Sequence, residues 1–403
     1  MGTDREYGWG IVGCGVIAPT HARAVAALPN AHLVAVTDVD QGKAKALADE
    51  HGAAWDAGLG ALLARPDIDV VSVCVPSGLH AEVGVQAAKA GKHLVIEKPI
   101  DVTVAAADRL LGAAAEAGVK LTVISQHRFD AGVRRLRELI QAGRLGRLTL
   151  GEAAVKWYRT QDYYDSGDWR GTWALDGGGA LMNQGIHYLD LLCWIMGPVA
   201  EVTALCATQA HEVEVEDVAL ALLRFKSGAV GLMQAATTIY PGFPERLEIS
   251  GTGGTVVVEG GAIRSAELAD ERGEVGAYGA AASTPAAAAP VVEVTVPVAT
   301  AAADPAAVAD EAHRAQLADF LAALDQGGKP LVTGEQARAD LAVIRAVYDS
   351  ARLGRPVTPS TPPASSEMCR LFPVISGPRG ESVPMPEGAL VEPVHRAIID
   401  DFQ

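Results

Sequence analysis

The chain has 403 residues, 49% of them hydrophobic, enough for two or three buried cores. Its 33 Lys and Arg against 49 Asp and Glu give a formal charge of −16, which repels nucleic acid and anionic membranes over most of the exterior but leaves room for one small basic pocket. The five cysteines, Cys14, Cys74, Cys193, Cys206 and Cys369, form no C-x-x-C pair, so neither a disulfide framework nor a cysteine metal site is expected, and reduced thiols fit a cytoplasmic protein.

Met1 to Glu6 are polar and charged, and no apolar run approaches the roughly 18 residues of a membrane span, so export and membrane insertion are not expected. From Gly8 to Ser125 short apolar runs alternate with Ala-rich segments of helical length, the pattern of successive βαβ units around a parallel sheet. The predicted strands are Gly8 to Val12, His32 to Thr37, Val70 to Val75, His93 to Ile96 and Leu121 to Ile124. Gly13-Cys14-Gly15-Val16-Ile17-Ala18 ends the first strand and opens a helix, matching G-x-G-x-x-G/A in the context that gives the motif meaning. Gly13 permits the tight turn, Gly15 lets a pyrophosphate approach the backbone, and Ala18 is small enough for close helix packing. Val16 and Ile17 lie at the positive end of that helix, whose amides face the phosphates.

Asp38 ends the second strand, 20 residues beyond Ala18, where its carboxylate can accept hydrogen bonds from both adenosine ribose hydroxyls. NAD is therefore favoured over NADP, whose 2′-phosphate would meet Asp38 and Asp40 with only Lys43 to fold back. The later strand ends border the same crevice, which places Pro76, His80, Glu97 and Lys98 toward the nicotinamide half. Gln126-His127-Arg128 follow the fifth strand at the same crevice.

A bridging helix, Ala131 to Ala142 and ended by Gly143, precedes a region where periodicity drops towards two, at Leu148 to Lys156 and across Val199 to Val258. This predicts an open, mainly antiparallel sheet with turns at Lys226-Ser227-Gly228 and Gly251 to Gly254. Residues 276–290 are mainly Ala, Ser, Thr and Pro and read as a surface insertion. Helical periodicity returns at Pro305 to Leu324 and Gly334 to Leu353, before a Pro-rich tail. The expected organisation is a Rossmann doubly wound domain over 1–125, a substrate-binding and oligomerisation α+β domain over 126–357, and a tail over 358–403.

Three features together, the dinucleotide fingerprint, Glu97-Lys98-Pro99, and GGGALMNQGIHYLDLL from Gly177 to Leu192, resemble the Gfo/Idh/MocA family of sugar and polyol oxidoreductases over about Tyr7 to Val357. The resemblance implies substrate bound between the two domains, Lys98 pointing at the reacting oxygen, Gln126 as a cofactor contact with His127 a secondary acid/base candidate, and a homodimer or homotetramer formed through the exposed face of the second sheet. Oxidising a secondary alcohol needs a base for the hydroxyl proton and a group that stabilises developing negative charge, which His187 and Lys98 can supply. Asn183 and His187, four residues apart, fall on one face of a helix. Many family members carry Asp at the position of Asn183. The amide can orient a substrate hydroxyl or His187 but takes no proton, and Asp190, one turn on, reads as a structural hydrogen-bond partner.

MNQGIH with the preceding Lys156 to Gly179 resembles the branch that oxidises C3 of UDP-N-acetylglucosaminuronic acid. Four of the six Trp and four of the eight Tyr lie between Trp157 and Trp194. Tyr158, Tyr164, Trp169 and Trp173 are candidates to pack on a sugar ring, whereas Trp157 and Trp194 read as core. Arg128, Arg159 and Arg170 could make forked contacts to a carboxylate or diphosphate. With no H-E-x-x-H, and His187-x-x-Asp190 short of a ligand set, no metal is expected. The expected function is NAD-dependent oxidation or reduction of a ring hydroxyl on a sugar, cyclitol or sugar nucleotide. A non-catalytic NAD and sugar sensor and redox-neutral glycoside cleavage are the alternatives.

Overall fold

Six short apolar runs build the first sheet: β1 (Tyr7–Val12), β2 (Ala31–Thr37), β3 (Ala54–Trp55), β4 (Val70–Val73), β5 (His93–Ile96) and β6 (Leu121–Val123). In the computed structural model, which describes residues 5–271 and 310–359, they pair in parallel in the order β3-β2-β1-β4-β5-β6. The insertion expected at 276–290 and nearly all of the tail lie outside the described residues. Helices α1 (Ala18–Ala26), α2 (Gln41–His51), α3 (Leu59–Leu63), α4 (His80–Lys89) and α5 (Val104–Glu116) connect these strands. With helices over both faces, every residue of β1 and β4 is buried, which is why these strands read as continuous apolar runs. The edge strand β3, two exposed residues long, has no pattern to betray it in the sequence. The strand order reverses between β1 and β4, and the crevice opens at their carboxyl ends, where Gly13 and Cys74 meet.

After α6 (Ala131–Gln141) comes the second sheet, β7 (Leu148–Lys156), β8 (Val199–Ala207), β9 (Val218–Phe225), β10 (Val230–Ala236), β11 (Arg246–Gly251), β12 (Gly254–Glu259) and β13 (Ala262–Leu268). Its order is β13-β12-β11-β7-β10-β9-β8, antiparallel throughout except for the central β7–β10 pair. A long connection holding α7 (Gln161–Asp165) and α8 (Ile186–Met196) separates those two strands, so no hairpin forces them to run oppositely. Alternation along β9 buries Ala219, Ala221, Leu223 and Phe225 and leaves Leu220 and Leu222 outward.

Two late helices complete the arrangement, α9 (Asp310–Gln326) and α10 (Gly334–Leu353). A capping box at Thr333 and Gln336 starts α10, which lies on the second sheet against β8, and left-handed Gly354 ends it. By contrast α9 returns to the first sheet and packs on α1, where Leu317, Phe320 and Leu321 join the core around Trp9 and Ile11. No described helix is long and apolar enough to cross a membrane.

Candidate active site

At the crevice, Gly13 has φ +90°, and a Cβ there would lie 2.6 Å from the Cys74 carbonyl oxygen, so the fold itself demands glycine. Gly15 differs: nothing lies within 4 Å of where its Cβ would be. Packing leaves that backbone open to a ligand. Val16 is 63% exposed, Ile17 caps α1 without a side-chain acceptor, and the first turn of α1 holds no acid. The amides of that turn are already used, Ala18 donating to the Gly15 carbonyl and Thr20 and His21 to the Ile17 carbonyl, so the face left open to an anion is the loop at Gly15 and Val16. Asp38 accepts from the amides of Cys14 (2.6 Å) and Asp40 (2.7 Å), which pin its carboxylate at the mouth of the cradle. These residues fit a dinucleotide.

Four other residues expected at the cofactor have definite places. Pro76 precedes a short turn, Ser77–Leu79, whose Gly78 amide donates to the Leu175 carbonyl and so joins the crevice to the second domain. His80 is buried, with Nδ1 2.6 Å from Pro99 O and Nε2 2.9 Å from Val75 O, and it braces the two loops against each other. Glu97 is buried too: one oxygen pairs with His21 Nε2 (2.9 Å), the other accepts from the Lys98 amide (3.0 Å), and His21 Nδ1 lies 3.0 Å from Ser72 Oγ. Burial, the largest single influence, would raise the Glu97 pKa, but the His21 bond and charge together with the charges of His313 and Lys98 outweigh it and hold the group down at about 2. His80 and Glu97 are thus braces of the site rather than open ligand contacts. Gln126 is buried with its Oε1 unpartnered.

The brace at Glu97 sets the direction of Lys98. Lys98 Nζ donates to the Asn183 carbonyl oxygen (2.9 Å) and to Asn183 Oδ1 (3.1 Å), so one of its three N–H bonds remains. Burial depresses the Lys98 pKa, against the pull of Glu97 and Asp176. Asn183 Nδ2 in turn donates to Asp176 Oδ1 (2.9 Å).

Asn183 lies in a π-helical turn, Ala180–Gly185, and His187 in the first turn of α8 that follows. The four-residue spacing therefore crosses a change of winding rather than following one α-helical face. The turn is held by Glu216, whose carboxylate accepts from the amides of Gly179 and Leu181, both at 2.8 Å. A Cβ on Gly179 would lie 1.7 Å from the Glu216 carbonyl, so packing requires this part of the glycine run.

His187 still faces the same cavity as Lys98, which Ser125, Asp190 and Asp340 also line. Its Nδ1 is buried without a partner, and burial, then Lys98, then His127 hold the imidazole well below its ordinary pKa. It is therefore neutral at physiological pH and competent to take a proton. His127 lies beside it, its Nδ1 2.7 Å from Asp130 Oδ2; burial opposes the charged ring most, but the charge and hydrogen bond of Asp130 with the charges of Glu245 and Asp190 together outweigh it and the His127 pKa is raised.

Among the expected substrate contacts the structure separates two groups. Arg170 reaches the site: it stacks on Tyr163 and Trp169, donates to the Tyr163 hydroxyl (2.8 Å), and is close enough to Lys98 to lower its pKa. Gln184 of the π-turn donates to the same hydroxyl (3.1 Å). Arg159 stacks on Trp157 and Tyr163, and Tyr158 stands 37% exposed, edge-on to Tyr240. Arg128, Tyr164 and Trp173 depart from expectation because each has committed partners. Arg128, 1% exposed, donates through Nε and Nη2 to Asp190 and through Nη1 to Gln336, with Trp194 under its plane. Its fork closes on a buried carboxylate of the chain. The Tyr164 hydroxyl bonds Thr237 (2.8 Å), and Trp173 donates to the Glu214 carbonyl and packs edge-on to Tyr348. Asp190 serves the structural role expected of it.

Asp176, Glu216, Tyr163 and Gln184 were not singled out by sequence for these roles. Among the described residues, one buried group of metal-ligand type occurs, His21, Glu97 and His313; both ring nitrogens of its His21 already have protein partners.

Residues 7–125 match the oxidoreductase family with an NAD-binding Rossmann fold, and residues 133–257 match the GFO/IDH/MocA C-terminal domain. The WlbA dehydrogenase of Bordetella pertussis, solved with NADH and UDP-GlcNAcA, is 33% identical, with 90% of this chain covering 100% of that one at a TM-score of 0.77. The WlbA dehydrogenase of Chromobacterium violaceum, solved with the same two ligands, is also 33% identical, covering 88% of this chain and 96% of that one at a TM-score of 0.74. A myo-inositol 2-dehydrogenase of Thermotoga maritima is 28% identical over 66% of this chain and 79% of its own length.

Proposed function

This chain belongs to the Gfo/Idh/MocA family of NAD-binding oxidoreductases, and from that premise we propose that it oxidises, or in reverse reforms, a ring hydroxyl of a sugar, cyclitol or sugar nucleotide, with C3 of a UDP-linked uronic acid as the leading substrate. The single observation that carries this reading is the convergence of Lys98 and His187 on one cavity at the ends of β5 and β6. The likeness to two dehydrogenases solved with UDP-GlcNAcA supports the uronic acid, and Arg170 beside Lys98 gives its anionic groups a cation.

When bound, NAD supplies the two-electron acceptor for the hydrogen that leaves carbon as hydride. Neutral His187 accepts the hydroxyl proton as the O–H bond breaks and the C–O bond becomes a carbonyl. Lys98 donates its remaining N–H to that oxygen while charge develops there, and Asn183 keeps the ammonium in place. Residues 1–125 serve the cofactor, and 126–357 serve substrate and self-association. A homodimer or homotetramer is supported by the outward face of β8, β9 and β10, where Leu205 lies opposite Leu220 and both Leu222 and Val230 are more than half exposed.

The test is absorbance of reduced nicotinamide with NAD or NADP and a panel of free sugars, cyclitols, uronic acids and UDP-sugars, run beside Lys98→Ala and His187→Ala. NADH formation with UDP-linked uronic acids, lost in both variants, is the expected result. Tight NAD binding with no turnover across the panel would overturn it in favour of a sensor. Product formation without net NADH would instead point to redox-neutral cleavage.

A further inference from the structure

Asp176 is 3% exposed and takes no part in the proton and hydride transfers above. Its two oxygens are divided between two partners: Oδ2 accepts from the Gly171 amide and Oδ1 from Asn183 Nδ2, each at 2.9 Å. This fixes the Asn183 amide. Turned over, the amide would set its oxygen against the Asp176 carboxylate and its NH2 against the Lys98 ammonium, both repulsive. In the orientation observed, Oδ1 faces Lys98 Nζ at 3.1 Å.

We propose that Asp176 is a positioning residue for Lys98, supplying through Asn183 the hydrogen-bond geometry and the negative charge that hold the lysine ammonium toward the reacting oxygen. The proposal rests on the reading that Lys98 serves that oxygen. Three charged groups bear on the ammonium besides its own bonds: Glu97 and Asp176 favour the charge and Arg170 opposes it. Glu97 is already engaged by His21 and by the Lys98 amide, which leaves Asp176 as the carboxylate that reaches Nζ through a side chain. The same carboxylate ties down Gly171, next to Arg170, so the segment bearing Trp169 and Arg170 and the catalytic ammonium share one anchor.

The experiment uses the full chain with Asp176→Asn, Asp176→Ala and the exchange Asp176→Asn with Asn183→Asp. Two readouts are taken: kcat and KM, and the pH dependence of Lys98 acylation in the free protein, followed by mass spectrometry. Removing the charge in Asp176→Asn shifts the Lys98 acylation profile to lower pH by about one unit and lowers kcat about tenfold with KM little changed. Asp176→Asn also keeps only one of the two acceptor oxygens, so either Gly171 or Asn183 loses its bond, and Asp176→Ala, which removes both bonds, lowers kcat further. The exchange keeps the hydrogen bond with donor and acceptor reversed and sets a carboxylate directly on Nζ, so it recovers both the profile and kcat. An unshifted profile in a folded Asp176→Asn protein would overturn the proposal. So would an exchange variant with wild-type thermal stability but no recovery, and that result stands even if Asp176→Asn alone fails to fold. Acylation needs no turnover, so activity that survives Lys98→Ala would sink the catalytic reading while leaving the acylation result to judge Asp176.

Discussion

The imidazole of His127 stands edge-on to that of His187, with ring centroids 5.2 Å apart and planes 76° from parallel. The two rings titrate in opposite directions. Asp130, with Glu245 and Asp190, overcomes burial to raise His127, while burial, Lys98 and His127 lower His187. A charged His127 is therefore one reason His187 stays neutral.

Asp130→Asn tests this coupling with a definite sign. Without the carboxylate, His127 loses its proton at lower pH, the positive neighbour of His187 disappears near neutrality, and the His187 pKa rises. Because the proposed oxidation uses neutral His187, the acid limb of the kcat/KM profile moves to higher pH, and an imidazole NMR titration of His187 moves with it. A limb that stays in place, or moves to lower pH, would show that the two rings are not electrostatically coupled.

Gly13 and Gly15 separate folding from cofactor binding. Gly15→Ala adds a methyl group into open space, so thermal stability changes by less than about 1 kcal/mol, while NADH binding followed by fluorescence weakens about tenfold. Gly13→Ala places a methyl group against the Cys74 carbonyl at a φ of +90°, which costs about 1–3 kcal/mol of stability and shows first as a lowered melting temperature. Equal loss of stability in both variants would contradict this division.

The outward face of the second sheet is the third point of test. Leu222 is 61% exposed on β9, beside Leu220 and near Leu205 on β8. If this face carries the proposed self-association, Leu222→Glu puts a carboxylate into it and lowers the molar mass seen by light scattering, with NADH affinity retained. An unchanged molar mass would place the contact elsewhere.

The first domain was legible because its signals are local. β1 and the turn at Gly13 to Ala18 adjoin in the chain, and the apolar period that announces the strands lies within each of them. The hairpin turn at Lys226-Ser227-Gly228 is local in the same way, joining β9 and β10 in the register their alternation dictates. Lys98, Asn183 and His187 stood out through motifs, yet their contacts did not. The Lys98–Asn183 bond spans 85 positions, and a π-turn replaced the α-helical step expected between Asn183 and His187.

What the sequence by itself determined was the run of long strands and helices in the first domain, with the short edge strand β3 missed, the glycine cradle at Gly13 to Ala18, the carboxylate at Asp38 and the residue types available for chemistry. Tertiary structure alone decided which charges were already matched. Arg128 reads as a free fork until folding brings Asp190 from 62 residues away to close it, and Asp176 drew no notice until the π-turn delivered Asn183 to it. The physical reason is that burial and pairing set the energy of a charge, and both are made by neighbours distant in the chain. Residue type names what a group could do, and the packed surroundings choose which of those things remains open to it.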